Sequence, residues 1–203
     1  MALIDSLIKE GWLKTPRIIK AFKEIKRIDF LPEGAEELAE LNEALPIGYG
    51  QTISQPLVVA FMIEKLGPEP GQEILDIGSG SGWTTALLSH IVGSEGKVVA
   101  IELIPELKEF GERNTAKYNF VEKGIAEFIC ADGSKGYSGF EPDGILASAT
   151  AEKVPRVWKE QLKIGGKIVV PVKSSIWVLE KVSGKNFTEK EYPGFSFVPL
   201  ITG

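Results

Sequence analysis

Histidine and cysteine are almost missing from this sequence, with one residue of each among 203. A single cysteine, Cys130, cannot form a disulfide within the chain, and the two residue types together are too few for a zinc site. We therefore expect no metal, and a reduced, cytoplasmic setting is the natural inference. The lone histidine, His90, falls in the middle of a predicted helix and is interpreted as a structural or surface residue.

Blocks of positive charge and long apolar runs are missing too. The 23 Lys and Arg residues are scattered among 28 Asp and Glu residues, and the net charge is −5. Without a basic patch, a nucleic-acid backbone is a poor partner. No apolar run approaches the length of a membrane span, and residues 1–10 lack the apolar stretch and cleavage site of a signal peptide. We expect neither nucleic acid nor membrane as a partner.

What the sequence does have is a regular alternation of predicted strands and helices. Residues 1–56 predict a helical N-terminal extension, with helices at 6–12 and 15–27, followed by a loop that faces a ligand. Residues 57–203 predict an α/β unit with a doubly wound, mostly parallel sheet, and the two parts form one compact domain. The predicted strands are 73–77, 98–102, 126–130, 144–148 and 166–171, the helices are 57–66, 84–92, 106–119 and 155–161, and strands 175–182 and 195–200 form an antiparallel edge.

A glycine-rich loop follows the first of these strands. Gly78, Gly80 and Gly82 alternate with serines, and glycines there let the backbone turn tightly and approach a ligand closely. The NAD fingerprint would need its third glycine at Trp83, so this loop departs from it. It matches the Asp/Glu-x-Gly-x-Gly-x-Gly loop of methyltransferases that use S-adenosylmethionine, with Asp76 as the acid. A glycine-rich turn without a ligand is the alternative interpretation.

Acidic residues stand at the ends of three successive predicted strands. Asp76 is the first, and Glu102 lies about 20 residues after the glycines, where an acid would bind ribose hydroxyls. Asp132 could accept a hydrogen bond from an adenine amino group, or it could form an Asx-turn in which Gly133 supplies a positive φ. All three fall on the carboxyl edge of the sheet, where open α/β folds bind ligands.

The segment from Pro46 to Pro56 is predicted to be a loop that carries Ser54 to the start of a helix. The free N–H groups of a helix N-terminus would favour a negative ligand group there. An ordinary capped turn, with Ser54 as the N-cap, is the other interpretation, and both can hold together.

These stretches together resemble the protein-L-isoaspartate O-methyltransferase family over nearly the whole chain. The Gly-Gln-Thr-Ile-Ser run at 50–54 and the Phe-Val-Pro-Leu run at 197–200 are specific to this family. The glycine loop alone indicates only a methyltransferase of the Rossmann-like type. Further matching stretches lie at 30–32, 46–56, 76–82, 101–107, 132–133 and 161–166.

The resemblance implies a repair enzyme that methylates the α-carboxylate of isoaspartyl residues. Its partners would be damaged proteins and peptides that contain such residues. It makes S-adenosyl-L-methionine the cofactor and Ser54 the active-site residue, and we expect a monomer. Gly78 and Gly80 would line the methionine part of the cofactor, and Glu102 would bind the ribose. The full set of cofactor-binding residues predicted in this way is Thr52, Ile53, Asp76, Gly78, Ser79, Gly80, Glu102, Leu103, Ala131, Asp132, Gly133 and Thr202.

Four positions depart from the family pattern. Asn42 stands where Asp is frequent, and Glu40 stands where an aromatic residue is frequent. Residues 148–151 replace the usual Thr-Ala-Ala run, and Ser196 replaces an Arg that often precedes Phe-Val-Pro-Leu. Because the last two flank the presumed substrate groove, they bear on peptide preference more than on cofactor binding.

A carboxylate acceptor needs little chemical help, because it is already ionised at neutral pH. Catalysis then consists mostly of holding the reacting groups in line. Two other functions stay open at this point. One is a methyltransferase with a different acceptor, although the Asn/Asp-Pro-Pro-aromatic segment of base methyltransferases is replaced by residues 148–151. The other is a non-catalytic adaptor that binds S-adenosylmethionine. Turnover on an isoaspartyl peptide separates the three.

Overall fold

The computed structural model describes residues 3–203, so Met1 and Ala2 of the predicted extension lie outside the described residues. The extension is helical, with α1 at Leu3–Lys9 and α2 at Pro16–Glu24. The predicted helix at 6–12 is displaced because the chain turns at Gly11, whose φ is +77°. Two single turns of 3₁₀ helix follow, at Arg27–Phe30 and Glu36–Leu38.

The segment predicted as a loop before the α/β unit is a short hairpin. Strand β1, Leu45–Gly48, pairs antiparallel with β2, Gln51–Ile53. The two turn residues, Tyr49 and Gly50, have φ values of 54° and 72°, the combination that a tight hairpin turn requires. Strands of three and four residues carry too little alternation for the sequence to indicate them.

The α/β unit contains the predicted elements with small shifts at their ends. Its helices are α3 (Pro56–Leu66), α4 (Trp83–Val92), α5 (Pro105–Ala116) and α6 (Arg156–Gln161). Its strands are β3 (Glu73–Ile77), β4 (Lys97–Glu102), β5 (Ala126–Cys130), β6 (Gly144–Ala147), β7 (Lys167–Val172), β8 (Ser175–Ser183) and β9 (Asn186–Pro193). Within residues 3–203, no helix combines the length and the apolar character needed to cross a membrane.

The seven strands form one sheet in the spatial order β5-β4-β3-β6-β7-β8-β9. The first five in that order run parallel, and β8 and β9 add an antiparallel edge. The chain moves outward from β3 through β4 to β5 and then returns to β6 on the other side of β3. This reversal makes the carboxyl end of β3 the topological switch point, which is where open α/β sheets bind ligands.

The core fills both faces of this sheet. Neighbouring residues of β3 show the division, since Ile74 packs with the α3 and α4 side while Leu75 packs with Trp158 of α6 on the other. All of these side chains are fully buried. Parallel strands covered on both faces explain the nearly continuous apolar runs in the sequence.

The predicted final strand at 195–200 is wrong. The edge partner of β8 is β9, which follows directly across the turn at Gly184 and Lys185 and pairs along almost its whole length. Residues 195–200 instead run toward the loop after β6. There the N–H of Thr150 donates to the carbonyl of Val198, and the N–H of Leu200 donates to that of Thr150, both at 2.8 Å. This contact lays the C-terminal segment along the carboxyl edge of the sheet.

A buried lysine caps the C-terminal end of α6. The Nζ atom of Lys181 donates to the carbonyls of Lys159, Glu160 and Leu162 at 2.9, 3.2 and 2.6 Å. Because the last carbonyls of a helix have no partner within it, Lys181 acts as a cap supplied by a neighbouring strand.

Candidate active site

A cleft that is partly open to solvent lies at the carboxyl end of β3. The loops after β3, β4 and β6 form its floor, and β2 of the hairpin and the C-terminal segment form its rim.

The glycine loop, residues 78–82, is pressed against α5. A Cβ atom added at Gly82, whose φ is +83°, would lie 2.5 Å from the carbonyl oxygen of Gly111, and one added at Gly111 would lie 2.7 Å from that of Gly80. Side chains at these positions would push the loop away from the helix, so the glycines set the depth of the cleft.

Glu102 joins the glycine loop to the loop after β4. Its side chain is nearly buried, at 7% exposure. Oε2 accepts a hydrogen bond from the N–H of Gly80 at 2.9 Å, and Oε1 accepts one from the N–H of Ile104 at 3.0 Å. An ionised carboxylate has about four acceptor positions, so Glu102 lines the cleft with acceptor capacity left.

Asp76 lies behind the cleft wall rather than in it. The residue is fully buried, and its Oδ2 accepts a hydrogen bond from the hydroxyl of Thr85 at 2.7 Å. Burial raises the pKa of Asp76 to about 7, although the Thr85 hydrogen bond works against this, and the charge of Glu102 raises it further. Oδ1 has no partner among the described residues.

At the far end of the cleft, Gly133 is part of the lining but Ala131 and Asp132 are not. Asp132 caps the short 3₁₀ turn that follows it, accepting hydrogen bonds from the N–H and hydroxyl of Ser134 at 2.9 and 2.6 Å. Gly133 does not have the positive φ expected of it. It is glycine for lack of space, because a Cβ would lie 2.5 Å from Cγ2 of Ile77.

A second, open groove adjoins the cleft. Thr52, Ser54 and Ser148 line both depressions, so they stand where the two meet. Val198 and Pro199 also line both, and the rest of the groove is lined by Ala44, Gln55, Val58, Ser196 and Phe197. None of the described residues that line the groove has a charged side chain.

Ser54 is not the N-cap of α3, so the alternative interpretation of this residue as a helix cap is wrong. The cap is Gln55, and Pro56 occupies the first helical position. Pro56 has no N–H, and the N–H of Leu57 donates to Oδ1 of Asn42 at 2.9 Å. The start of α3 therefore does not offer the free N–H groups that the sequence predicted. The first N–H of the helix, that of Leu57, is already bonded to Asn42 of the N-terminal extension.

The predicted residues fall into two groups. Those that line the cleft are Thr52, Ile53, Ser54, Gly78, Ser79, Gly80, Glu102, Leu103 and Gly133. Asp76, Ala131, Asp132 and Thr202 lie outside its lining, and their predicted roles stay predictions. His90 also lies outside, with its Nε2 2.7 Å from Oε2 of Glu24.

Sequence reasoning missed several lining residues. They come from the start of α4, the loops after β4 and β6 and the C-terminal segment, and include Trp83, Thr84, Ile104, Ala149 and Ile201. The glycine motif was a signal for the first two. For the C-terminal segment the only signal was the family resemblance, and its contact with Thr150 brings it to the cleft.

Comparison with known proteins places the whole chain in one group. Residues 1–203 match the family described as protein-L-isoaspartate(D-aspartate) O-methyltransferase (PCMT). A protein-L-isoaspartate O-methyltransferase of Methanopyrus kandleri is 38% identical over 204 residues, covering 98% of this chain and 89% of the relative. The corresponding protein of Staphylothermus marinus is 40% identical over 210 residues, covering 98% and 92%.

Solved structures agree with this grouping. A protein-L-isoaspartate O-methyltransferase structure superposes with a TM-score of 0.86 at 27% identity, covering 97% of this chain and 64% of that one. A β-aspartate methyltransferase (PCMT) of Plasmodium falciparum, solved in complex with S-adenosyl-L-homocysteine, gives a TM-score of 0.87 at 19% identity, covering 99% and 97%. At that identity the second comparison shows the shared fold.

The raised pKa of Asp76 predicts how stability varies with pH. The folded protein holds the Asp76 proton up to about pH 7, whereas the unfolded chain loses it near pH 4. The contribution of Asp76 to the free energy of unfolding should therefore fall as pH rises from about 4 to 7, with the loss complete above 7. Asp76→Asn cannot ionise, so its stability relative to wild type should rise between pH 5 and 8. The rise should be on the order of a few kcal/mol, because each pKa unit is worth about 1.4 kcal/mol.

Urea denaturation at pH 5, 6, 7 and 8 measures this difference. Asp5→Asn, an equal charge change at an exposed position, is the control and should show no such trend. Parallel pH profiles for wild type and Asp76→Asn would show that the pKa of Asp76 is not raised.

Proposed function

The chain belongs to the protein-L-isoaspartate(D-aspartate) O-methyltransferase family, and we propose on that basis that the cleft binds the methyl donor while the groove binds the damaged peptide. The protein transfers a methyl group from S-adenosyl-L-methionine to the α-carboxylate of L-isoaspartyl residues. The observation that carries the proposed division is the position of Ser54 and Thr52, which line both depressions.

The cleft residues fit this cofactor. When bound, S-adenosyl-L-methionine supplies a methyl group on a positively charged sulfur. Glu102 has acceptor capacity for ribose hydroxyls, and its negative charge faces a cleft that must hold a cation. The hydroxyl of Ser79 is buried without a partner in the described part of the chain, and a bound ligand could satisfy it. We assign cofactor binding to Thr52, Ile53, Gly78, Ser79, Gly80, Glu102, Leu103 and Gly133.

The groove suits a carboxylate acceptor. An isoaspartyl α-carboxylate titrates near pH 4 and is a nucleophile without losing a proton in the reaction. The described groove lining carries no ionisable side chain, whereas an amine or hydroxyl acceptor would require a general base. Ser54 would donate a hydrogen bond that orients the carboxylate, and the rate would come mainly from this alignment.

We further propose that the protein acts in the cytoplasm as a monomer on isoaspartyl-containing proteins and peptides, with no nucleic-acid or membrane partner. The free, exposed thiol of Cys130 supports a reducing setting.

Acceptor linkage is the decisive test of this function. Of two peptides that differ only in this linkage, the isoaspartyl one should be methylated much faster than the normal aspartyl one, because the normal aspartyl carboxylate stands one methylene further from the main chain and would be displaced from Ser54. Initial rates with both peptides measure the preference. Equal methylation of the two would contradict a repair function, and no methylation of either with normal cofactor binding would indicate a non-catalytic binder.

Replacing Glu102 should weaken cofactor binding. Glu102→Ala removes charge-assisted hydrogen bonds worth about 1.5–3 kcal/mol, so affinity for S-adenosyl-L-homocysteine should fall roughly 10- to 150-fold. Calorimetric titration measures it, with the exposed Glu106→Ala on α5 as the control. Unchanged affinity in Glu102→Ala would remove this residue from the site.

Replacing Ser54 should separate turnover from binding. If Ser54 orients the acceptor, Ser54→Ala should lower kcat about 10-fold or more while affinity for S-adenosyl-L-homocysteine changes less than about twofold, since the lost hydrogen bond is made to the peptide. Steady-state kinetics and calorimetry give the two quantities, and Ser94→Ala, an exposed serine outside both linings, is the matched control. A normal kcat would leave Ser54 without a catalytic role.

A further inference from the structure

We propose that Arg27 and Asn42 are positioning residues that hold Ser54 in place for methyl transfer. This inference rests on the proposed function, since it concerns the residue assigned to the acceptor carboxylate. Neither side chain lines the cleft or the groove, so both would act through main-chain contacts.

Arg27 is a buried cation whose hydrogen bonds all go to main-chain carbonyl oxygens. The residue is 6% exposed. Nη1 donates to the carbonyls of Leu41 at 2.9 Å and Ala39 at 3.3 Å, and Nη2 donates to the carbonyls of Glu43 at 2.7 Å and Ser54 at 3.4 Å. The two shorter bonds fix the main chain on either side of Asn42, and the longest reaches the main chain of Ser54 itself.

Asn42 carries this constraint to the residues that follow Ser54. Its carbonyl accepts a hydrogen bond from the side chain of Gln55 at 2.8 Å, and its Oδ1 accepts one from the N–H of Leu57 at 2.9 Å. Through these contacts the start of α3 is tied to the N-terminal extension. Ser54 is therefore held by Arg27 at its own carbonyl and by Asn42 one and three residues later.

The same guanidinium reaches toward the cofactor side. Its central carbon lies 5.5 Å from the centre of the Trp83 ring, and Trp83 is the first residue of α4, directly after the glycine loop. One rigid, planar group thus contacts the acceptor loop and the helix that begins the cofactor cleft. Methyl transfer depends on the relative placement of these two halves, and an error of about 1 Å there can cost a hundredfold in rate.

Burial of the Arg27 charge has a desolvation cost. Desolvation lowers the pKa of Arg27 to about 10, partly offset by the charge of Glu40. Its Nε has no partner among the described residues. Lys181 is the matched structural case. It too is a 6% exposed cation bonded only to carbonyls, three of them where Arg27 has four, but it caps α6 away from both linings.

The experiment compares four variants with the wild type. Asn42→Ala removes the acceptor for Leu57, and Asn42→Asp retains an acceptor oxygen at the same place. Arg27→Lys keeps the charge but loses the planar fork of donors. Lys181→Met is the control for the loss of a buried cation. For each, kcat and KM on an isoaspartyl peptide, affinity for S-adenosyl-L-homocysteine and Tm are measured, with kinetics well below the lowest Tm.

Asn42→Ala and Arg27→Lys should lower kcat about 10-fold or more, with affinity for S-adenosyl-L-homocysteine within about twofold of wild type. Asn42→Asp should restore kcat to near the wild-type value. Lys181→Met should lower Tm and leave kcat unchanged.

Wild-type kcat in Asn42→Ala, or a loss of kcat that Asn42→Asp does not restore, would overturn the proposal. Loss of S-adenosyl-L-homocysteine binding in parallel with kcat would also overturn it, because it would indicate general disruption. If Arg27→Lys does not fold, the two Asn42 variants still test the proposal. A wild-type protein that binds S-adenosyl-L-homocysteine but does not methylate the peptide would instead refute the proposed function.

Discussion

The carboxylate of Glu102 is the contact on which the cleft depends. It accepts one hydrogen bond from the glycine loop at Gly80 and another from the loop after β4 at Ile104, so one side chain sets the spacing of two loops that share no strand. Packing of Gly111 against the same loop fixes it from the other side. Any change that releases Glu102 would alter the shape of the cleft as well as its charge.

The two halves of the site differ in charge in the way the reaction requires. In the proposed division of the site, the cleft side holds the carboxylate of Glu102 and suits a positively charged donor. The groove side presents hydroxyl, amide and apolar groups and suits a carboxylate that must give up its charge. A cation placed in the groove would stabilise the carboxylate before transfer more than during it, which would slow the reaction. The buried charge of Arg27 is accordingly directed at carbonyl oxygens.

The departures from the family pattern now have structural positions. Asn42 satisfies the start of α3 with a neutral amide, where an aspartate could accept the same hydrogen bond. Oε2 of Glu40 accepts a hydrogen bond from the N–H of Leu3 at 3.1 Å, on the outer side of the extension. Ser148 and Ser196 do line the groove, and under the proposed function they are two positions where peptide preference can differ. A serine in place of the frequent arginine keeps the groove neutral.

The sequence by itself determined the alternation of strands and helices, the glycine loop and the acid at the end of β4, because each rests on local patterns of apolar residues and glycines. It also carried the family resemblance, through the runs at 50–54 and 197–200. Tertiary structure alone decided that 195–200 rims the cleft rather than extending the sheet, that Gln55 rather than Ser54 caps α3, and that Arg27 reaches the carbonyl of Ser54. These depend on contacts between segments far apart in the chain, and no local pattern encodes which buried donor will meet which distant carbonyl.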